Sequence, residues 1–392
     1  MWLTEKVNRL NESVIREMTR VAEEEDAINL SQGLPDFPCP TELKAAAIQA
    51  IQGDENQYSF TYGRLSLRER IAQKLLHRNN ISADPVSEIT ITCGVSEGLM
   101  SACLAILEPG DEVILFEPFY ENYLPAILLT GAQPRFYTME PPNWEINFDK
   151  LRGLFSNRTK ALILNNPMNP TGKCFATNEL AEISRLCQRW DVLAITDEIY
   201  EDIIYENQKH ISLASLSGME KRTITIMGFS KSYAVTGWRV GYTCADAPVS
   251  AGIRKIHDYL TICAPTPLQA ACEAALELPE YYYTGLKSAY EKKRNLFCMG
   301  LRNLGFNLEF PEAAYYVMAD FSKIRQGNAT EFTRWLVQNQ GVAVVPGSSF
   351  YHEPQLGQHL VRFCFARDEK TLIAALRTMG HRILGLSNKK WC

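Results

Sequence analysis

"GFSKSYAVTGWRVGY", residues 228–242, sets the problem posed by this chain. An apolar run, "TITIMGF" (223–229), reads as a core strand and leads into Lys231, with Arg239 eight positions later. Lysine is seldom buried without a partner, so its place at the end of such a strand asks for a chemical reason. Outward from this point, short β-branched runs alternate with helical patterns. The runs "EITITC" (88–93), "DEVILF" (111–116), "QPRFYT" (133–138), "KALILN" (160–165), "VLAITD" (192–197), "TITIMG" (223–228) and "RVGYTC" (239–244) predict seven strands. Helix patterns such as "SEGLMSACLAIL" (96–107) and "TNELAEISRLCQRW" (177–190) lie between them. That alternation predicts an α/β layer with a mostly parallel sheet, covered on both faces.

The texture changes after about residue 285. A charged helical segment, "YEKKRNLFCMGLRNL" (290–304), leads into short strands "YYVMADF" (315–321), "GVAVVPG" (341–347) and "LVRFCFA" (360–366), then a final helix. This reads as a smaller α+β domain formed by 1–43 and 286–392, beside a large domain of 44–285. The opening "MWLTEKVNRLNESVIREMTR" (1–20) predicts one amphipathic helix packed on the small domain.

Composition narrows the function. The 392 residues, 46% hydrophobic, suffice for a substantial core. A net charge of −5 offers no basic footprint for nucleic acid. The eleven cysteines are scattered, with no C-x-x-C and no zinc-type pairing, and read as reduced, packed thiols. The six histidines, His77, His210, His257, His352, His359 and His381, show no ligand spacing, so no metal is expected. No charged-then-apolar leader opens the chain, and its apolar runs are too short to cross a bilayer. A cytoplasmic protein without membrane or nucleic-acid partners is the expectation.

Ligands in open α/β sheets sit beyond the carboxyl ends of the strands, and four predicted strand ends carry polar groups there. "ITITCGVSEGL" (89–99) runs through Gly94 into a helix beginning near Ser96, which presents free N–H groups to an anion such as phosphate. The same turn also serves as a plain connector. "LILNNPMNPTGK" (162–173) holds Asn169 between prolines, a pre-positioned amide or simply a loop. "ITDEIYE" (195–201) puts Asp197 at a strand end with Tyr200 three positions on. Burial there raises a carboxylate pKa unless a cation neutralises it, although an Asp at that place also caps helices. Ser230, Lys231 and Arg239 complete the set. A phosphate cradle, a buried acid, a phenol, a lysine and a second cation are what a pyridoxal phosphate site needs.

Taken together, "NLSQGLPDFPCP" (29–40), "NNPMNPTGK" (165–173), "TDEIYE" (196–201), "FSKSYAVTGWRVGY" (229–242) and "LVRFCFA" (360–366) resemble the fold type I, class I/II pyridoxal phosphate-dependent aminotransferases over essentially the whole chain. "APVSAGIRKIHDYLT" (247–261) with "PTPLQAACEAAL" (265–276) is similar to the branch holding methionine, glutamine and kynurenine aminotransferases. The resemblance implies that Lys231 forms the Schiff base with the cofactor aldehyde and that Asp197 pairs with the pyridine nitrogen. It implies that Asn169 and Tyr200 bind the ring's phenolate oxygen and that Tyr120, in "EPFYENY" (117–123), stacks on the ring. Gly94, Val95, Ser96, Ser230 and Arg239 would hold the phosphate. Arg362 would bind the substrate α-carboxylate as a bidentate fork, with the backbone of Gly33 close by. Tyr58 would reach the partner's phosphate across a homodimer with shared active sites.

Two departures stand out. Gly228 replaces a serine that many members of the family use to touch the phosphate, and Ile262-Cys263 stand where some kynurenine-active relatives carry aromatics. The mechanism the family implies is ping-pong, with Lys231 as the base and pyridoxamine phosphate left after the first 2-oxo acid departs. Ser96 stands where aspartate-selective relatives often have lysine, which favours a large neutral donor such as methionine, glutamine or phenylalanine. Tyr120, Phe350 and the partner's Tyr58 are expected to line its pocket. A cysteine-conjugate β-lyase needs the same lysine, aspartate and arginine and stays open as an alternative. A cofactor-sensing regulator would need a DNA-binding domain, whereas the enzyme-like pattern already begins by Asn29.

Overall fold

The computed structural model describes residues 2–206 and 208–383; the side chain of His381 and all of Cys392 lie outside the described residues. Its strands in chain order are β1 (Ile28–Asn29), β2 (Ile89–Thr92), β3 (Glu112–Glu117), β4 (Gln133–Thr138), β5 (Thr159–Asn165), β6 (Leu193–Asp197), β7 (Thr223–Gly228), β8 (Gly241–Cys244), β9 (Tyr316–Asp320), β10 (Val342–Ala343), β11 (Val345–Pro346) and β12 (Leu360–Cys364). All seven strands expected between residues 88 and 244 are present and form one sheet in the order β2-β8-β7-β6-β5-β3-β4. Strands β3 to β7 pair in parallel, and β8 is antiparallel to both its neighbours.

Alternate side chains leave opposite faces of this sheet, and both faces are covered. Val113, Leu115, Ala161 and Ile163 pack with Leu99, Cys103 and Ile127 from the helices Val95–Ile106 and Tyr123–Thr130. Ile114, Phe116, Leu162 and Leu164 pack the other way, against Leu180 and Ile183 of the helix Thr177–Trp190. Two-sided burial explains why these strands read as continuous apolar runs.

A three-stranded antiparallel sheet, β11-β12-β9, packs with the helices Glu280–Asn303, Ala329–Gln340 and Glu369–Ile383 around Phe297, Phe332, Phe363 and Leu372. Strand β1 pairs in parallel with β10, which brings the N-terminal segment onto this lobe. Met18 and Ala22 pack there with Val337 and Ala343.

The N-terminal stretch corrects one expectation. It is not a single helix but two, Glu5–Asn8 and Val14–Glu24. The break follows from Ser13, whose hydroxyl accepts the Arg16 N–H at 3.2 Å and so starts a new helix instead of continuing the old one.

Register aligns the strand ends that matter. Asn165 on β5 lies opposite Asp197 on β6, which in turn faces Ile226 on β7. Gly241 faces Gly228 on one side and Thr92 on the other. Polar residues far apart in sequence thereby meet at one edge of the sheet.

Candidate active site

A cavity of about 380 Å³ opens at this edge. Lys231, Asp197, Tyr200, Asn169, Tyr120 and Arg239 all line it, as do Val95, Ser96, Ser230 and Gly33. Lys231 Nζ donates to the carbonyl of Gly33 at 3.0 Å. Burial lowers the Lys231 pKa to about 8, against the pull of nearby Cys364 and Asp197. A glycine is required at 33, because a Cβ there would lie 1.7 Å from the Tyr316 hydroxyl.

Asp197 is the buried acid. Burial pushes its pKa up to about 6, with hydrogen bonds from the Tyr123 hydroxyl and the Ile199 N–H pulling the other way. The charge of Lys231 offsets the burial only in part. The Asn165 amide donates to the Asp197 carbonyl at 2.8 Å and accepts the Asn169 N–H on Oδ1 at 2.7 Å. One asparagine thus fixes the acid's backbone and the loop carrying Asn169.

Arg362 stands behind Asn169, fully buried. Its Nη1 donates to Asn169 Oδ1 at 2.9 Å, and Nη2 donates to the Ser31 carbonyl. Its guanidinium carbon lies 4.3 Å from the Tyr316 ring centroid and 5.0 Å from that of Phe350. Among the described residues the Nε has no partner, an orphaned donor at a site where orphans are costly. Because Oδ1 of Asn169 is taken by a cation, its amide nitrogen is left to donate.

The anion-binding corner is built on Gly94. With φ 78° and ψ 171°, Gly94 precedes the helix Val95–Ile106, whose N-terminus has no side-chain cap. A Cβ at 94 would fall 2.4 Å from Nη2 of Arg239, so the glycine is what lets this guanidinium lie against the turn. Arg239 is itself held by the Thr236 carbonyl at 3.0 Å. Cation and free helix N–H groups converge, as an anion site demands. At Gly228 a Cβ would come within 3.1 Å of both Ile199 Cδ1 and Val95 Cγ2. Neighbouring methyls fill the room a serine would take.

Four expected residues are not in the cavity wall: Gly94 and Arg362, already placed behind it, and Phe350 and Tyr58. Phe350 is buried beneath Arg362 and contacts its guanidinium instead, because the short helical turn Gly347–Phe350 tucks the ring inward. Tyr58 is 76% exposed and the structure does not bring it to the site within this chain. Others went unread. Tyr123 sits one turn past a strand end, and only the packing of its helix aims it at Asp197. Tyr316, whose hydroxyl lies 3.1 Å from that of Tyr200, comes from β9 in the other lobe and carries no local signal. Arg16 and Gln32 reach the cavity from the N-terminal segment.

Comparison with known proteins follows this geometry. The family model described as aminotransferase class I and II matches residues 25–378. The chain is 36% identical to the methionine aminotransferase of Escherichia coli, over 94% of this chain and 96% of that protein. It is 34% identical to human kynurenine–oxoglutarate transaminase 1, over 91% and 93%. Among solved structures, the N-succinyldiaminopimelate aminotransferase of Mycobacterium tuberculosis superposes with a TM-score of 0.94 at 34% identity, covering 96% of this chain and 99% of that one.

Proposed function

This chain belongs to the class I and II aminotransferase family, and on that premise we propose that it moves the amino group of a large, neutral L-amino acid to a 2-oxo acid, using pyridoxal 5′-phosphate held by Lys231. One observation carries the reading: a lysine depressed to about 8 and a carboxylate raised to about 6 share a single cavity with an anion corner. The residues fit the cofactor. Arg239 on Gly94, with the N–H groups of Val95 and Ser96 and the Ser230 hydroxyl, would hold the phosphate. Asp197 would pair with the ring nitrogen, Asn169 and Tyr200 with the phenolate oxygen, and Tyr120 would cover the ring face. When bound, this cofactor supplies a sink for the electron pair left at the substrate Cα.

The protein's own groups do the rest. Near neutral pH a useful fraction of Lys231 is the free amine, able to take the Cα proton on Nζ. Asp197, at about 6, is mostly ionised at neutral pH and would hold a proton on the ring nitrogen of the bound cofactor. Arg362 meets the α-carboxylate, with Asn169 as its neighbour. The neutral donor is supported by Ser96, whose hydroxyl accepts from the Asn122 amide at 3.1 Å where a cation would be needed for an acid. Relatives named for methionine and kynurenine agree with it.

The same reading makes the protein a homodimer. Tyr58 and Phe60, each 76% exposed, and Tyr259, 91% exposed, lie on segments joined by a Thr61–Asp258 hydrogen bond of 3.0 Å. Such an aromatic surface suits a partner copy. We also retain the division into a large domain, 44–285, and a small one. A cytoplasmic location accords with ten described cysteines that are all free. Among the described residues, no helix is long and apolar enough to cross a membrane.

The test is the absorbance of the purified protein through an amino-acid panel. Bleaching by large neutral amino acids and recovery with 2-oxo acids is expected, both abolished in Lys231→Ala. Absence of a chromophore overturns the cofactor assignment. Pyruvate and ammonia from a cysteine conjugate without added oxo acid would move the enzyme to β-elimination.

A further inference from the structure

His257 is wholly buried on the helix Ala247–Thr261, outside the cofactor cavity, and the chemistry proposed above leaves it unused. Its Nδ1 lies 3.0 Å from Oε2 of Glu97, and its Nε2 lies 3.0 Å from the carbonyl oxygen of Thr61. Carboxylate and carbonyl oxygens only accept, so the ring donates from both nitrogens. The Thr261 hydroxyl, 3.2 Å from Nδ1, has its own acceptor in the His257 carbonyl at 3.3 Å.

Each bond ends on an element that serves the cofactor. Glu97 stands in the first turn of the helix Val95–Ile106, where its Oε2 also accepts the Cys93 N–H at 3.0 Å and its Oε1 accepts the Ser101 hydroxyl. Cys93 immediately precedes Gly94, and its carbonyl accepts from Nη2 of Arg239 at 3.5 Å. Through Glu97 the histidine therefore braces the turn on which the anion corner is built. Thr61 lies three residues past Tyr58, and its hydroxyl donates to Asp258 at 3.0 Å. Consecutive residues, His257 and Asp258, thus hold Thr61 by its carbonyl and by its side chain. One flat ring joins the anion corner to the Tyr58 loop, with no rotatable bond between its two donors.

We propose that His257 is a positioning residue for the cofactor phosphate in both subunits of the dimer. From Nδ1 it sets the Gly94 turn of its own site, and from Nε2 it sets the loop whose Tyr58 completes the partner's. This rests on the aminotransferase reading of the cavity and on the shared-site homodimer.

Two substitutions cut the bonds separately, because an asparagine amide nitrogen overlays Nδ1 and a glutamine amide nitrogen overlays Nε2. His257→Gln keeps a donor for Thr61 and removes the one for Glu97; His257→Asn does the reverse. The measurement is the dissociation constant of pyridoxal 5′-phosphate and of phosphate-free pyridoxal, by quenching of protein fluorescence, with and without Tyr58→Phe. In His257→Gln the phosphorylated compound should bind about tenfold more weakly, the size of one charge-assisted hydrogen bond, with pyridoxal little changed. Tyr58→Phe should then cost as much in that variant as in the parent. In His257→Asn the phosphorylated compound should lose about as much as in Tyr58→Phe alone, and adding Tyr58→Phe should cost nothing further. Either variant decides its own half, and melting curves establish that it is folded. Equal losses for the two compounds, or additive Tyr58→Phe effects in His257→Asn, overturn the assignment. A parent that binds neither compound would instead sink the reading of the cavity, and a Tyr58→Phe change without effect in the parent would sink the shared-site dimer.

Discussion

The hydroxyl of Tyr123 donates a 2.8 Å hydrogen bond to Oδ2 of Asp197, and the Ile199 N–H holds Oδ1 at 3.2 Å. Both bonds favour the charged carboxylate against the burial that opposes it. Tyr123→Phe removes the first without changing the shape of the core. The Asp197 pKa should then rise above about 6, and the acid limb of the kcat profile should move to higher pH. A loss of about tenfold in kcat at neutral pH corresponds to a charged hydrogen bond of roughly 1.5–3 kcal/mol. Superimposable profiles for variant and parent would remove Tyr123 from the site.

A second consequence concerns stability without cofactor. Asp197 titrates near 6 when folded and near 3.8 in its ordinary state. Between those values the folded protein binds more protons than the unfolded chain, so stability falls as pH rises through the window. Above pH 6 the charged, buried group costs at most about 3 kcal/mol. Asp197→Asn in the cofactor-free protein should therefore melt higher than the parent at pH 7.5, with the gap closing towards pH 4. Melting curves show it; a gap independent of pH would contradict the burial argument.

How far these relationships were legible depended on distance along the chain. The sheet could be read because its central strands β3, β5, β6 and β7 are near-continuous apolar runs buried on both faces, and the strand-end groups Asp197, Asn169 and Lys231 stand beside those runs. Tyr123, Tyr316 and Arg16 could not. They reach the cavity through the packing of a helix, a strand of the other lobe and an N-terminal segment, and nothing in their own neighbourhoods encodes that arrival. The helix break at Ser13 was missed for another reason: apolar periodicity continued across it, and one side-chain hydrogen bond overrode the pattern.

Gly94→Ala tests the anion corner. The backbone there, φ 78° and ψ 171°, is a region that only glycine occupies readily, and the methyl would meet Arg239 Nη2 at 2.4 Å. Strain of about 1–3 kcal/mol is expected, along with displacement of the guanidinium. Phosphate-bearing cofactor should then bind at least about tenfold more weakly, while the phosphate-free aldehyde loses much less. Equal losses for the two compounds would mean that Gly94 matters to folding alone.

Arg362→Lys asks whether the buried guanidinium serves the α-carboxylate common to every substrate. The planar group spends one nitrogen on Asn169 Oδ1 and one on the Ser31 carbonyl, and lies over the rings of Tyr316 and Phe350. An ammonium keeps the charge, yet it cannot stack on two rings or present a fork to a carboxylate. It also leaves Asn169 Oδ1 without its donor, so the amide that faces the cavity loses its orientation. The loss in kcat/KM should reach roughly a hundredfold, about 2.7 kcal/mol, and should be the same for short, long, neutral and acidic amino acids. Circular dichroism and melting curves establish that the variant is folded. A loss confined to one class of side chain would place Arg362 at the far end of the substrate and leave the α-carboxylate without its partner.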